Sequence, residues 1–262
     1  MPAEYAQAVA VTSNVTATNM VTDPRIAFFS FIGSGKVGWM LKSKLAPGTR
    51  CALEHGGAAP VIVAEDADLD AMLPLLAKGG FYHAGQVCVS VQRIFAHQSI
   101  AETIAKKLSE MADTLIVGNP ADPATEVGPM IRHEETDRVE KWVEEAVAAG
   151  AELVTGGEKI SAALYKPTVL LNPPTDVSLS KNEVFGPVVS VFSCKNMEEA
   201  INMANDVPFS FQASVMTQDI DKAMYAYRYL NAPAVMVNDH TALRVDWMPF
   251  TGLRQSGYGV GG

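Results

Sequence analysis

A cysteine closes the segment Gly85-Gln86-Val87-Cys88, and an acidic residue opens a glycine turn at Leu53-Glu54-His55-Gly56-Gly57. A thiolate is the best nucleophile a protein offers near neutral pH, and a free carboxylate activates water as a general base. Together they suggest covalent chemistry at a carbonyl: the thiol adds to the carbon, and water later releases the acyl group. Each residue alone has a plainer reading. A lone intracellular cysteine is commonly a small buried apolar group, and a lone glutamate a solvated surface charge. A third element, Gly33-Ser34-Gly35-Lys36-Val37-Gly38, matches G-x-G-x-x-G directly after an apolar run. Glycines there let a pyrophosphate approach backbone N–H groups at a helix N-terminus. The P-loop pattern fails, because Trp39 stands where its Lys belongs. On pattern alone, Glu54 is also a candidate ribose-binding acid at the usual spacing, and the glycines are also a plain strand-to-helix turn.

Alternating elements must position these groups. Strand-like runs are expected at 26–32, 61–64, 93–96, 167–171, 187–192, 213–217 and 234–237. Helical spacing is expected over 37–45, 134–149 and 220–230, and capping boxes at Ser99-x-x-Glu102 and Asn196-x-x-Glu199 open two further helices. In the first of these, Ile100, Ile104, Leu108, Met111 and Leu115 recur on one face. This alternation implies an α/β fold with a mostly parallel sheet covered by helices.

Bulk properties narrow the function class. The 262 residues carry 20 basic and 29 acidic side chains, a net charge of −9, with no Lys/Arg-rich run, which argues against a nucleic-acid partner. Cys51, Cys88 and Cys194 form no C-x-x-C pair, which fits a reducing compartment. The five histidines show no metal-ligand spacing, so no protein-bound metal is expected. Residues 1–20 lack a basic region followed by an apolar run, and no run approaches a membrane span. The expected location is the cytoplasm.

With the pieces in order, the chain resembles the aldehyde dehydrogenase superfamily. Five stretches carry the likeness in the family's order: Phe31-Ile32-Gly33-Ser34-x-x-Val37-Gly38, Leu53-Glu54-His55-Gly56-Gly57, Gly85-Gln86-Val87-Cys88, Glu183-Val184-Phe185-Gly186-Pro187, and Pro249-Phe250-x-Gly252-Leu253-x-x-Ser256-Gly257. The resemblance implies that Cys88 is the nucleophile and Glu54 the base that activates water for thioester hydrolysis. It places Gly33, Ser34 and Gly38 at the cofactor pyrophosphate, Glu183 on the nicotinamide ribose and Phe185 beside it, and it leaves Gly35 incidental. The backbone N–H of Cys88 becomes an oxyanion donor. The implied cofactor is NAD, or NADP; the implied partners are a small aldehyde and, in a full-length member, further copies of the chain in a homo-oligomer. Phe81, His83, Trp247 and Met248 are candidate borders of the substrate passage, and Cys51 and Cys194 candidate core residues.

The likeness also implies a partial Rossmann-like nucleotide-binding sheet followed by an α/β catalytic domain of the aldehyde dehydrogenase type. The expected units are the end of the nucleotide-binding domain at 1–55, the catalytic domain at 56–240, and a glycine-rich tail at 241–262 returning toward the nucleotide-binding and oligomerisation region. Ala58 and Ala59 depart from the family's usual turn, where Lys or Asn follows the glycines. Family members carry an earlier segment with a ribose-binding Lys and a second oxyanion donor, an Asn, neither with a counterpart here; loss of one such donor costs on the order of 10²–10³ in rate. Two alternatives therefore stand beside aldehyde oxidation: a silent fragment acting through a partner chain, and cofactor-independent ester or thioester hydrolysis.

Overall fold

In a computed structural model of the protein, described for residues 2–261, helix α1 (Asn14–Val21), strand β1 (Phe28–Ile32), helix α2 (Gly35–Lys42) and strand β2 (Arg50–Glu54) come first. Then follow β3 (Pro60–Val63), α3 (Leu69–Phe81), β4 (Arg93–His97), α4 (Ala101–Thr114), α5 (His133–Ala148), β5 (Glu152–Thr155) and β6 (Thr168–Leu171). The chain continues through α6 (Ser178–Lys181), β7 (Val188–Cys194), α7 (Met197–Asn205), β8 (Phe209–Ser210), β9 (Gln212–Met216), α8 (Ile220–Tyr229) and β10 (Ala234–Val237). Two short strands, β11 (Leu253–Arg254) and β12 (Gly257–Tyr258), lie in the tail. Met1 and Gly262, the outer limits of the first and third expected units, lie outside the described residues.

The strands form a seven-stranded sheet in the order β10-β9-β3-β4-β7-β6-β5 and a three-stranded sheet β1-β2-β12. In the larger sheet only β5 runs antiparallel. Alternation along each strand sends side chains to both faces. Ile94 and Ala96 of β4 join the core beneath α3, α4 and α5, whereas Phe95 between them joins the core beneath α7 and α8. Between the smaller sheet and α2, Phe29 of β1, Leu53 of β2 and Leu41 of α2 form a separate cluster.

Some local expectations need correction. α2 spans Gly35–Lys42 rather than 37–45. Ser99 does not cap α4: its hydroxyl meets the His97 ring at 2.7 Å, and Ile100 takes the cap position. Asn196 does cap α7, accepting from the Glu199 N–H at 2.9 Å. α3 escapes sequence reading because Pro74 and Gly79-Gly80 interrupt it, yet the Asp68 carboxylate caps its start and six of its residues are buried.

The topology matters most at the amino ends of the parallel strands. β3, β4 and β7 are neighbours and run the same way. The loops that enter them therefore lie side by side, and those loops carry Gly56-Gly57, Cys88 and Glu183.

Candidate active site

Cys88 lies in a tight loop between α3 and β4. His83 and Ala84, with φ of 50° and 54°, are consecutive non-glycine residues in the left-handed region, an arrangement that surrounding contacts must hold in place. Those contacts are present. Ser90 donates its hydroxyl to the Gly79 carbonyl at 2.9 Å, Val91 donates its N–H to the same carbonyl at 3.0 Å, and Thr241 donates to the Val89 carbonyl at 2.7 Å. Gln86 ties the loop to the segment before α5, donating to Pro129 O at 3.2 Å and accepting from the Ile131 N–H at 2.8 Å. Burial, followed by the negative charges of Glu183 and Glu54, pushes the Cys88 thiol up to about 11, so its resting form at neutral pH is the thiol rather than the thiolate.

Glu183 enters from the loop before β7 and lies on the glycine turn. The Gly57 N–H donates to its Oε1 at 3.2 Å, and a Cβ at Gly56 would collide with the carboxyl group. The turn therefore needs glycine so that this carboxyl can pack against its backbone. Burial raises the Glu183 carboxyl to about 7, against the lowering effects of the Gly57 N–H and Arg138. Its loop is pinned by Gln92, which donates to Leu179 O and Asn182 O and accepts from the Val184 N–H, and by Arg138, which donates to Val184 O at 2.7 Å. Phe185 follows at φ 47°, a third non-glycine position in the left-handed region at the site.

Glu54 ends β2, and its carbonyl accepts from the Gly33 N–H at 3.1 Å. Burial raises its carboxyl, while the charge of Arg244 pulls the other way. The adjacent His55 is buried, and its Nδ1 lies 3.0 Å from Gln255 O. Since a carbonyl only accepts, Nδ1 carries the proton, and Nε2 has no partner among the described residues. Gly38 packs under that nitrogen, where a Cβ would collide with it.

These groups meet in one cavity of about 600 Å³. Cys88, Glu54, Gly33, Ser34, Glu183 and Phe185 all line it, whereas Gly38 does not: it is buried beneath His55. Phe81 is in the core, and Trp247 is 85% exposed; neither they nor His83 and Met248 line the cavity. Cys194 is buried and Cys51 half-buried. Among the described residues, no group of His, Cys, Asp or Glu is placed to hold a metal ion, and no helix is long and apolar enough to cross a membrane.

Sequence reasoning missed the opposite wall, supplied by α5. Glu135 holds Arg138 at 2.9 Å and Arg132 at 3.0 Å, and the Arg138 guanidinium stacks on Trp142 at 4.5 Å. Arg138 and Trp142 share a face at i and i+4, a signal open to helix-pattern reading.

The pattern described as the aldehyde dehydrogenase family matches residues 1–262. The chain belongs to the aldehyde dehydrogenase family. It is 42% identical over 237 residues to the 3-sulfolactaldehyde dehydrogenase of Priestia megaterium, covering 90% of this chain and 49% of that one. The NADP complex of glyceraldehyde-3-phosphate dehydrogenase GapN from Methanocaldococcus jannaschii superposes with a TM-score of 0.89 at 39% identity, over 93% of this chain and 53% of that one. A betaine aldehyde dehydrogenase from Staphylococcus aureus in complex with NAD+ gives 0.87 at 32% identity, over 93% and 50%. The chain thus spans about half the length of the relatives it matches. In this chain the departures at Ala58 and Ala59 are both buried, and their carbonyls accept from Arg93 Nε at 2.9 Å and the Arg93 N–H at 3.2 Å.

Proposed function

We propose that this protein oxidises a small aldehyde to a carboxylic acid with NAD or NADP, through a thiohemiacetal and then a thioester on Cys88. The observation that carries the reading is the single cavity in which Cys88, Glu54 and Glu183 converge with the Gly33-Ser34 turn.

The chemistry follows from the side chains. Cys88 is a thiol at rest, so its proton must leave as sulfur attacks the aldehyde carbon. Glu54 and Glu183, both raised by burial, are stronger bases than solvated carboxylates and share the cavity with the thiol. The Cys88 N–H stabilises the oxyanion. Once the thioester has formed, Glu54 takes a proton from water, the hydroxide adds to the acyl carbon, and the C–S bond breaks to return Cys88 and release the acid.

The residues present fit the cofactor. Glu183 Oε2 has no hydrogen-bond partner among the described residues, and a carboxyl raised to about 7 can accept from a ribose hydroxyl when ionised or donate to it when protonated. Glu183 and Phe185 would hold the nicotinamide end, Gly33 and Ser34 the pyrophosphate, and the bound group would accept hydride.

The test is NAD(P)H formation from a panel of small aldehydes, with Cys88→Ala as control. Turnover that vanishes in the control is expected; turnover that survives it overturns the role of Cys88. A second reading, cofactor-independent ester hydrolysis, is favoured by the placement of Cys88 and Glu54 in one cavity, since that step needs no hydride acceptor. Cys88-dependent hydrolysis without NAD(P)H formation would select it, and absence of both activities would leave a silent chain.

A further inference from the structure

A second cleft, of about 300 Å³, opens on the α7 face of the larger sheet and shares no lining residue with the Cys88 cavity. Its floor is apolar: Phe95 and Phe192 stack with centroids 4.9 Å apart, and Met203 closes one side. Its inner wall is Arg93, which is only 2% exposed. Arg93 donates Nε to Ala58 O at 2.9 Å and Nη2 to Ala204 O at 3.0 Å; both partners are neutral carbonyls, and Nη1 donates to nothing among the described residues. A buried guanidinium without an anion in contact is costly. Burial pulls Arg93 down to about 9, and the charge of Asp206 opposes this only in part. Asp206 is itself engaged by Lys181 at 2.7 Å at the mouth of the cleft. The charged groups around the cleft, Arg93, Lys181 and Asp206, leave one net positive charge.

We propose that this cleft binds a small carboxylate with a short apolar tail, its charge on the open edge of Arg93 and its tail over the Phe95–Phe192 pair. A single negative charge balances the site, whereas a phosphate dianion would overcompensate it and has no apolar surface to place on the two rings. The mouth adds a neutral donor in the Asn202 amide. A cleft of this size and character lies at the lower end of the range of small-molecule sites. The Ser180 hydroxyl, buried beside the cleft with no partner among the described residues, marks the polar end as incompletely satisfied.

The test follows the methyl resonances of the chain's 12 methionines, with the Met203 signal assigned through Met203→Leu. Butanoate is the probe; butanamide and inorganic phosphate are the controls. Butanoate should shift the Met203 methyl saturably and bind at least about tenfold more tightly than either control, as one charge-assisted hydrogen bond allows. Asn202→Trp, which plugs the mouth from an exposed helix position and leaves Arg93 in place, should abolish the shift. Equal binding of butanamide would show an apolar cleft that does not read charge, and equal binding of phosphate an anion site without use for the rings; either overturns the proposal. So does a still Met203 methyl while other methyls move, because the carboxylate then occupies another site.

Discussion

Along the seven-stranded sheet, successive residues such as Ile94 and Phe95 are both sealed, one under α3, α4 and α5 and the other under α7 and α8. Along β1 of the three-stranded sheet only Phe29 is buried, while Phe28 and Ile32 are 56% and 74% exposed, and α1 buries no residue at all. Cys88 and Glu183 hang from the first sheet; Gly33, Ser34 and Glu54 belong to the second. The cavity is thus a joint between a firmly packed wall and a thinly packed one. His55, Trp39 and the tail fasten them, since the Gln255 carbonyl takes hydrogen bonds from both the His55 ring and Trp39 Nε1. Thinly packed elements open at lower free energy than the global transition, so motion at this site should come from the Glu54 side.

The largest expected effects separate the two sheets directly. Leu108, fully buried in α4, should cost about 2–5 kcal/mol as Leu108→Ala, through lost burial plus the cavity left behind. Leu41 is buried in a cluster of only three buried residues, and Leu41→Ala should lie at the low end of the same range, about 2 kcal/mol. Urea unfolding measures both. Native-state hydrogen exchange should show the first as faster exchange throughout and the second as faster exchange in β1 and β2 alone. Equal costs with global exchange in both would break the comparison.

The packed wall also carries a pH signature. Glu183 keeps its proton in the folded state up to about 7, against an ordinary value of 4.5. Between those two values the native state holds more protons than the unfolded chain, so stability falls as pH rises, by up to about 3 kcal/mol. Asp23, Asp66, Glu135 and Asp206 are held below their ordinary values, so their contribution is lost as pH falls and lies on the acid side of this window. Glu183→Gln should remove the decline, which urea titrations at both ends of the window would register. A decline unchanged in the variant would assign it elsewhere, for example to Glu54.

The packed sheet was the more legible region. Alternation and helical spacing pointed to β4, β7, α5 and α7, because burial on a covered sheet forces those periods. α3 was not legible, since its place is fixed by packing that overrides Pro74, and Ser99 misled because the His97 ring competes for its hydroxyl. At the cavity, the residue types of Cys88, Glu54 and Glu183 stood out, but only the ordered motifs suggested that they meet. Gln92 and Arg138 were silent because they act on backbone carbonyls and N–H groups far along the chain, and no local pattern encodes such partners. Gly38 fits a cofactor fingerprint in the sequence, and in the fold its steric contact with His55 is a separate reason for glycine that no local pattern encodes.

That contact predicts the next effect in size. Gly38→Ala should cost about 1–3 kcal/mol by overpacking, and the added methyl should displace the His55 ring from Gln255. Combining it with His55→Ala frees the space, so the double variant should lose less than the two single losses added together. Strict additivity in urea unfolding would show that Gly38 is glycine for another reason.

The smallest effect concerns the tail's hold on the thin sheet. Lys42 Nζ lies 4.1 Å from the Tyr258 ring, linking α2 to β12, which in turn pairs with Leu53 and Glu54 of β2. Both partners are partly solvated, so the link is worth about 0.5–1 kcal/mol. Lys42→Met keeps the apolar stem and removes the charge. Its loss should appear as faster exchange of the amides in β12 and the end of β2, with the urea midpoint of the whole chain nearly unchanged. A shift of the midpoint as large as that of Leu41→Ala would mean that the tail and the packed sheet unfold as one unit, and that the joint at the cavity is stiffer than its burial implies.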